Sequence, residues 1–95
     1  MTYWVYMMAS GRNGTLYIRL TNNLSRRAWE HRTKAVNGFT EQYDVVRLVW
    51  YESFVDVREA IAREKMLKKW RRAWKLKLIE DMNPEWDDLY LQLNM

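Results

Sequence analysis

Tyr3-Trp4-Val5-Tyr6-Met7-Met8-Ala9, then Ser10-Gly11-Arg12-Asn13-Gly14, then Thr15-Leu16-Tyr17-Ile18-Arg19-Leu20-Thr21 read as two strands and the turn that joins them. The flanking stretches are rich in aromatic and branched side chains, which suit a pleated surface, and the middle one concentrates turn residues. A β-hairpin is the expectation. Successive strand side chains point to opposite faces, so Tyr17 and Arg19 share a face whatever the pairing. Tyr6 joins them only if hairpin partners sum to an odd number, which a five-residue turn leaves open.

Downstream, Thr21-Asn22-Asn23 carries cap chemistry for a helix from about Leu24. In that helix Leu24, Ala28 and Ala35 recur on one side, Arg27 and His31 fall one turn apart, and Asn37-Gly38 closes it. Val45-Val46-Arg47-Leu48-Val49-Trp50-Tyr51 is a third strand, apolar enough to be central in a small sheet. Asp56 starts the next helix, with Glu59 in a capping-box position and a core stripe of Val57, Ala60, Ile61, Glu64 and Leu67. Glu64 is anomalous there, because a carboxylate facing the interior needs a cation or strong donors. A structural salt bridge and a functional role both answer that need.

Lys68-Lys69-Trp70-Arg71-Arg72 leads into a second helical run, with Trp74, Leu78 and Met82 spaced by four and Leu76 and Ile79 alongside. Asn83-Pro84 ends it, since proline disfavours helix in the residue before it. Glu85-Trp86-Asp87-Asp88-Leu89-Tyr90 reads as a last helical turn that packs Trp86 and Leu89 on the core. The order β-β-α-β-α-α predicts an α+β fold, with a three-stranded, mainly antiparallel sheet flanked by helices in one domain over residues 1–95.

Composition narrows the chemistry. Ninety-five residues, 48% of them hydrophobic, supply one core. No apolar stretch approaches a membrane span and no secretory leader is visible, so a soluble, cytoplasmic protein is expected. Without cysteine there is no thiolate metal site, disulfide or cysteine nucleophile, and a single histidine precludes a zinc site built on histidine pairs. Ser10, Ser25 and Ser53 lie in no G-x-S-x-G elbow, and neither G-x-G-x-x-G nor a phosphate-loop lysine pattern occurs. Tyrosine, arginine, lysine, carboxylates and one histidine remain, a set suited to phosphodiester hydrolysis with a hard metal ion. The formal charge is +4, and residues 58–77 hold nine cations against Glu59 and Glu64. Such a concentration attracts a polyanion, although a solvated helical face is the competing reading.

These residues together resemble the GIY-YIG nuclease family, and within it the small stand-alone bacterial members. Val5-Tyr6-Met7 stands at the first motif and Tyr17-Ile18-Arg19 at the second. Arg27 and His31 are similar to the family's arginine and its frequent histidine one turn later, Glu64 to its metal-binding glutamate, and Asn83 to its late asparagine. The resemblance implies a metal-dependent endonuclease that hydrolyses DNA, branched or nicked DNA included, in DNA repair or recombination. It implies catalytic duties for Tyr6, Tyr17, Arg27 and His31, one Mg²⁺ or Mn²⁺ on Glu64, and a supporting place for Asn83. Tyr17 would act as general base or water-positioning group, helped by a cation or by His31 accepting its proton, and Arg27 would hold the phosphate. Arg19, Lys68, Lys69, Arg71, Arg72 and Lys75 would contact nucleic acid. Each residue also has an ordinary reading: core or cross-strand packing for the tyrosines, a solvated face for Arg27 and His31, and helix termination for Asn83.

The second motif ends in Arg19 where the family has glycine. Three outcomes are open at this stage. Arg19 pairs with Glu64 and displaces the metal, contacts a phosphate, or bends to solvent. The first implies a catalytically impaired nucleic-acid-binding module as the alternative function. A basic α+β protein outside the family, binding RNA or a protein partner, is a further one.

Overall fold

A computed structural model of the chain describes residues 1–33 and 45–93. Strands β1 (Tyr3–Ala9) and β2 (Leu16–Thr21) form the expected hairpin. Its turn is fixed by backbone bonds from Ser10 N–H to the Thr15 carbonyl (3.1 Å) and from Gly14 N–H to the Gly11 carbonyl (3.0 Å). Asn13 takes the left-handed conformation at φ 57°. A Cβ on Gly14 would lie 2.3 Å from Ser10 Oγ and 3.0–3.1 Å from the Gly11 backbone, so a side chain there would turn Ser10 away from its bond with Thr15 N–H. The resulting register pairs Tyr6 with Arg19 and Met8 with Tyr17. Partners sum to an odd number, and Tyr6, Tyr17 and Arg19 share one face.

Strand β3 (Arg47–Phe54) pairs antiparallel with β1, giving the sheet order β2-β1-β3. The expectation of a central third strand is therefore corrected, and β1 is central. The apolar run of β3 reflects cover on both faces rather than a strand on each side. The strand also begins at Arg47 and runs to Phe54, because its length follows its pairing with β1, from Ala9↔Arg47 to Tyr3↔Phe54. Between Met7 and Met8 the register slips: Met7 faces Trp50 and Met8 faces Leu48, which leaves Val49 as the extra residue of a β-bulge. Val49 and its neighbour Trp50 consequently pack in the same cluster.

Two cores lie on the two faces of this sheet. Tyr6, Met8 and Leu48 pack with Leu24 and Ala28 of α1 (Leu24–Arg32) and with Leu89 of a 3₁₀ turn (Leu89–Gln92). Val5, Met7, Ile18, Val49 and Trp50 pack with Ala60 and Leu67 of α2 (Val57–Lys69), Ile79 of α3 (Arg72–Met82) and Trp86. Helix α1 starts as its sequence dictates, with Asn23 Oδ1 accepting from Arg26 N–H at 3.2 Å. The expected helical positions of Ala35 and Asn37-Gly38 lie outside the described residues. Asp56 caps α2 through the Arg58 N–H (2.9 Å), and its carboxylate also takes the Arg58 guanidinium, so the Glu59 half of the capping box has no visible role. None of the described helices is long and apolar enough to cross a membrane.

Three expected core positions are corrected. Ile61 is 37% exposed, at the edge of the stripe that Ala60 and Leu67 centre. Trp74 and Met82 face outward, because α3 docks through Ile79 with Leu76 and Leu78 half-buried beside it. The last helical turn begins at Leu89, not Glu85, and Trp86 reaches the core from a left-handed backbone at φ 57°. Trp86 and Leu89 are both buried as expected, but on opposite faces of the sheet.

That division shows what the C-terminal segment does: it closes the β3 edge at the bulge. Asn83 Nδ2 donates to the Val49 carbonyl (3.1 Å) and to the Asp87 carbonyl (2.9 Å), while its Oδ1 accepts from Asp87 N–H (3.0 Å). Asp88 Oδ1 accepts from Leu48 N–H (3.2 Å), and Arg32 of α1 pairs with the same carboxylate. Backbone groups freed by the bulge thus find side-chain partners, as buried polar groups must. Asn83→Ala removes three bonds and orphans the Val49 carbonyl, so a loss of about 3 kcal/mol is expected in urea denaturation. A loss below about 1 kcal/mol would show that the edge is held by other means.

Candidate active site on the α1 face

The hairpin register and the α1 spacing meet on one face. Tyr6 is fully buried, and its hydroxyl lies 3.1 Å from His31 Nε2. The Tyr17 ring stands edge-on to the same imidazole, centroids 5.5 Å apart, and the Arg19 guanidinium lies 5.8 Å from the Tyr17 ring centre. His31 belongs to the buried side of α1 with Leu24 and Ala28 and is only 2% exposed. Its Nδ1 is buried without a hydrogen-bond partner among the described residues.

Burial sets the charge states. It pushes the Tyr6 hydroxyl up to about 12, against the opposing pull of the Arg27 guanidinium, so Tyr6 is a neutral phenol at physiological pH. It pulls His31 down to about 4, and the nearby Arg27 charge acts in the same direction. His31 is therefore neutral at pH 7, and its surroundings oppose its protonation. Arg27 is half-buried, and its Nη1 donates to Glu30 Oε1 at 3.0 Å, while Arg26 Nε donates to Glu30 Oε2 at 3.4 Å. Glu30 thus fixes the direction of Arg27. Glu30 is not among the site residues expected from sequence, although its i, i+3 and i, i+4 spacings from the two arginines are a legible signal. Beside Arg27 an open groove of about 420 Å³ runs past Leu20, Thr21, Asn22 and Val57.

Tyr6, Tyr17, Arg19, Arg27 and His31 are brought together; Glu64 stands on α2, whose Ala60 and Leu67 pack across the sheet from the tyrosines. Its side chain is 16% exposed, and Oε2 pairs with Lys68 Nζ at 3.3 Å. Arg19 is thus not the partner of Glu64 but stands over Tyr17. No group of three histidine, aspartate or glutamate side chains occurs among the described residues, so an all-protein metal cage is not formed there. One half-buried carboxylate still suits Mg²⁺ or Mn²⁺, hard ions that keep several water ligands and share others with a phosphate. Asn83 lies at the bulged edge of β3, where its side chain is used in full by the bonds to Val49 and Asp87.

The expected nucleic-acid contacts divide. Lys69 and Arg71 are exposed, and Lys75 is half-buried. Lys68 holds Glu64, and Arg72 donates to the Asn13 and Gly14 carbonyls at 2.7 Å each, tying α3 to the hairpin turn.

Comparison with known proteins agrees with this geometry. A family model described as the GIY-YIG catalytic domain matches residues 2–77. A UPF0213 protein of Clostridium perfringens is 32% identical over 97% of this chain and 98% of its own length. Another UPF0213 protein, from Bacillus pumilus, is 34% identical over 77% of this chain and 74% of its own. The solution NMR structure of a UPF0213 protein from Bacillus halodurans superposes with a TM-score of 0.58 at 24% identity, covering 93% of each chain, and that likeness concerns the fold. With its two motif tyrosines on one strand face and Arg27 and His31 delivered to them by α1, the chain belongs to the GIY-YIG family, alongside its small single-domain UPF0213 relatives.

Proposed function

We propose that this nuclease-type domain is an active, divalent-metal-dependent endonuclease that hydrolyses DNA phosphodiester bonds. The observation that carries the reading is the Tyr6–His31–Tyr17 cluster on the helix that also carries Arg27, which is paired with Glu30 and lines an open groove. Hydrolysis needs a deprotonated water, a held phosphate and relief of charge on the leaving oxygen. Arg27, permanently charged and planar, holds the phosphate. Tyr17 positions the attacking water, and neutral His31 beside it, made a weak base by its burial, is the nearest group to take up the proton as the transition state forms. Tyr6 stays protonated and orients the imidazole through its 3.1 Å hydrogen bond. A Mg²⁺ or Mn²⁺ ion, when bound, would be held by Glu64 in place of Lys68 and would supply a Lewis acid for phosphate oxygens, from a carboxylate that stands on the helix layer across the sheet from the tyrosines. Arg19, on the same face as Tyr17, adds a cation for the scissile or a flanking phosphate. Branched or nicked DNA as substrate, a place in repair or recombination, and a cytoplasmic setting belong to the same proposal.

A second reading, an impaired binding module, draws on Arg19 standing over Tyr17 where the family has glycine. The two separate in one assay: cleavage of labelled single-stranded, duplex and branched DNA with Mg²⁺ or Mn²⁺. The expected result is activity that falls at least 100-fold in Glu64→Ala and in Arg27→Ala, the scale seen when a residue that stabilises transition-state charge is removed. Silence in the parent with activity appearing in Arg19→Gly would support the impaired module instead.

Protonation gives an independent check. The folded pKa of His31 lies below the ordinary histidine value of about 6.5, so its contribution to stability is complete above pH 6.5 and is lost as pH falls toward 4. The difference between the two values corresponds to roughly 3 kcal/mol. Because His31 is the only histidine, a single imidazole resonance reports it in an NMR titration, and a midpoint near 4 is expected. A midpoint near 6.5 would show that burial does not hold the imidazole in its neutral form. His31→Gln should flatten the stability loss between pH 6.5 and 4.5.

A further inference from the structure

Helix α3 leaves unpacked the side that the sequence marks as apolar. Trp74 is 50% exposed and forms, with Trp70, Ala73 and Leu78, a groove of about 430 Å³ rimmed by Lys77 and Asp81. The two indoles meet edge to face, 5.8 Å between centroids at 89°, which gives the groove rigid aromatic walls. The Arg71 guanidinium lies 4.8 Å from the Trp74 ring centre and that of Arg63 5.4 Å from Trp70. Residues 65–79 hold seven cations and no acid, and the rim aspartate is already neutralised by Lys77 at 2.8 Å.

An apolar slot of indoles inside a cationic field is complementary to one kind of occupant. A second copy of this chain would bring the same basic face and be repelled. An acidic peptide would satisfy the charges but leave the indoles without a planar partner. We propose that the Trp70–Trp74–Leu78 groove takes an unpaired nucleobase of a single-stranded nucleic acid, with Lys69 and Arg71 near the flanking phosphates. This rests on the reading that the chain acts on nucleic acid, and it adds a base-stacking subsite on the helix layer across the sheet from the tyrosine cluster.

The test is the affinity of a fluorescent oligothymidylate against an abasic oligomer of equal length, by anisotropy in EDTA at low salt, so that no cleavage intrudes. Both oligomers carry the same phosphate charge. The expected result is roughly tenfold tighter binding of the oligothymidylate, a preference lost in Trp74→Ala and partly kept in Trp74→Phe. Trp74 is half-exposed, so its truncation spares the core, and an unchanged thermal melt verifies this. Equal affinity for the two oligomers, or indifference to Trp74→Ala, overturns the subsite. So does stronger competition by polyglutamate than by oligothymidylate, or a dimer in light scattering that Trp74→Ala dissolves. If the base preference holds while no DNA is cut with metal, the endonuclease reading fails and the subsite stands.

Discussion

The odd-sum register of the β1–β2 hairpin is the constraint on which the rest of the molecule depends. It is set by a turn in which Gly14 packs closely on Ser10 and the Gly11 backbone and Asn13 takes a left-handed backbone. A slip of one residue would turn Tyr17 and Arg19 toward α2 and α3 and Ile18 toward α1. The two cores would then fail together, because each takes alternate residues of the same strands. The geometry of the candidate site and folding are thus secured by the same pairing: the register that buries Ile18 on one face places Tyr17 against His31 on the other.

The second constraint lies at the opposite edge of the sheet. The bulge at Val49 lets two successive side chains enter one core but leaves backbone groups that the ladder no longer satisfies. Asn83 and Asp88 answer them from the C-terminal segment, and that segment then spans both faces, with Trp86 in one core and Leu89 in the other. Asn83 serves here as an edge clamp. Arg32 joins the clamp to α1 through Asp88, so the helix that carries Arg27 and His31 is braced by the far end of the chain.

Electrostatics on the α1 face follow from burial more than from sequence neighbours. A histidine at i+4 from an arginine looks like a solvated, titrating pair, yet the fold sinks His31 among Leu24 and Ala28 and lowers its pKa, while Arg27 stays at the rim with Glu30. The same helix therefore presents a neutral base and a fixed cation side by side. On the other layer Arg72, which reads as one more phosphate ligand, is taken up by carbonyls of the hairpin turn. Basic residues of similar appearance in the sequence are thus divided between exposed ones, such as Lys69 and Arg71, and ones that brace the fold.

By itself the sequence determined the element order, the hairpin, the caps at Asn23 and Asp56, and the ordered set of motif residues. These rest on local physics: alternation, helical spacing and turn chemistry act over a few residues. Only tertiary structure decided that Tyr6 faces Tyr17, that β1 rather than β3 is central, and that Trp74 is exposed while Ile79 is buried. It also decided that Arg19 stands over Tyr17 while Glu64 pairs with Lys68. Register, sheet order and the facing of a helix are choices between alternatives of nearly equal local energy. They are settled by contacts between segments far apart in the chain, such as Asn83 with Val49, which no short window of sequence contains.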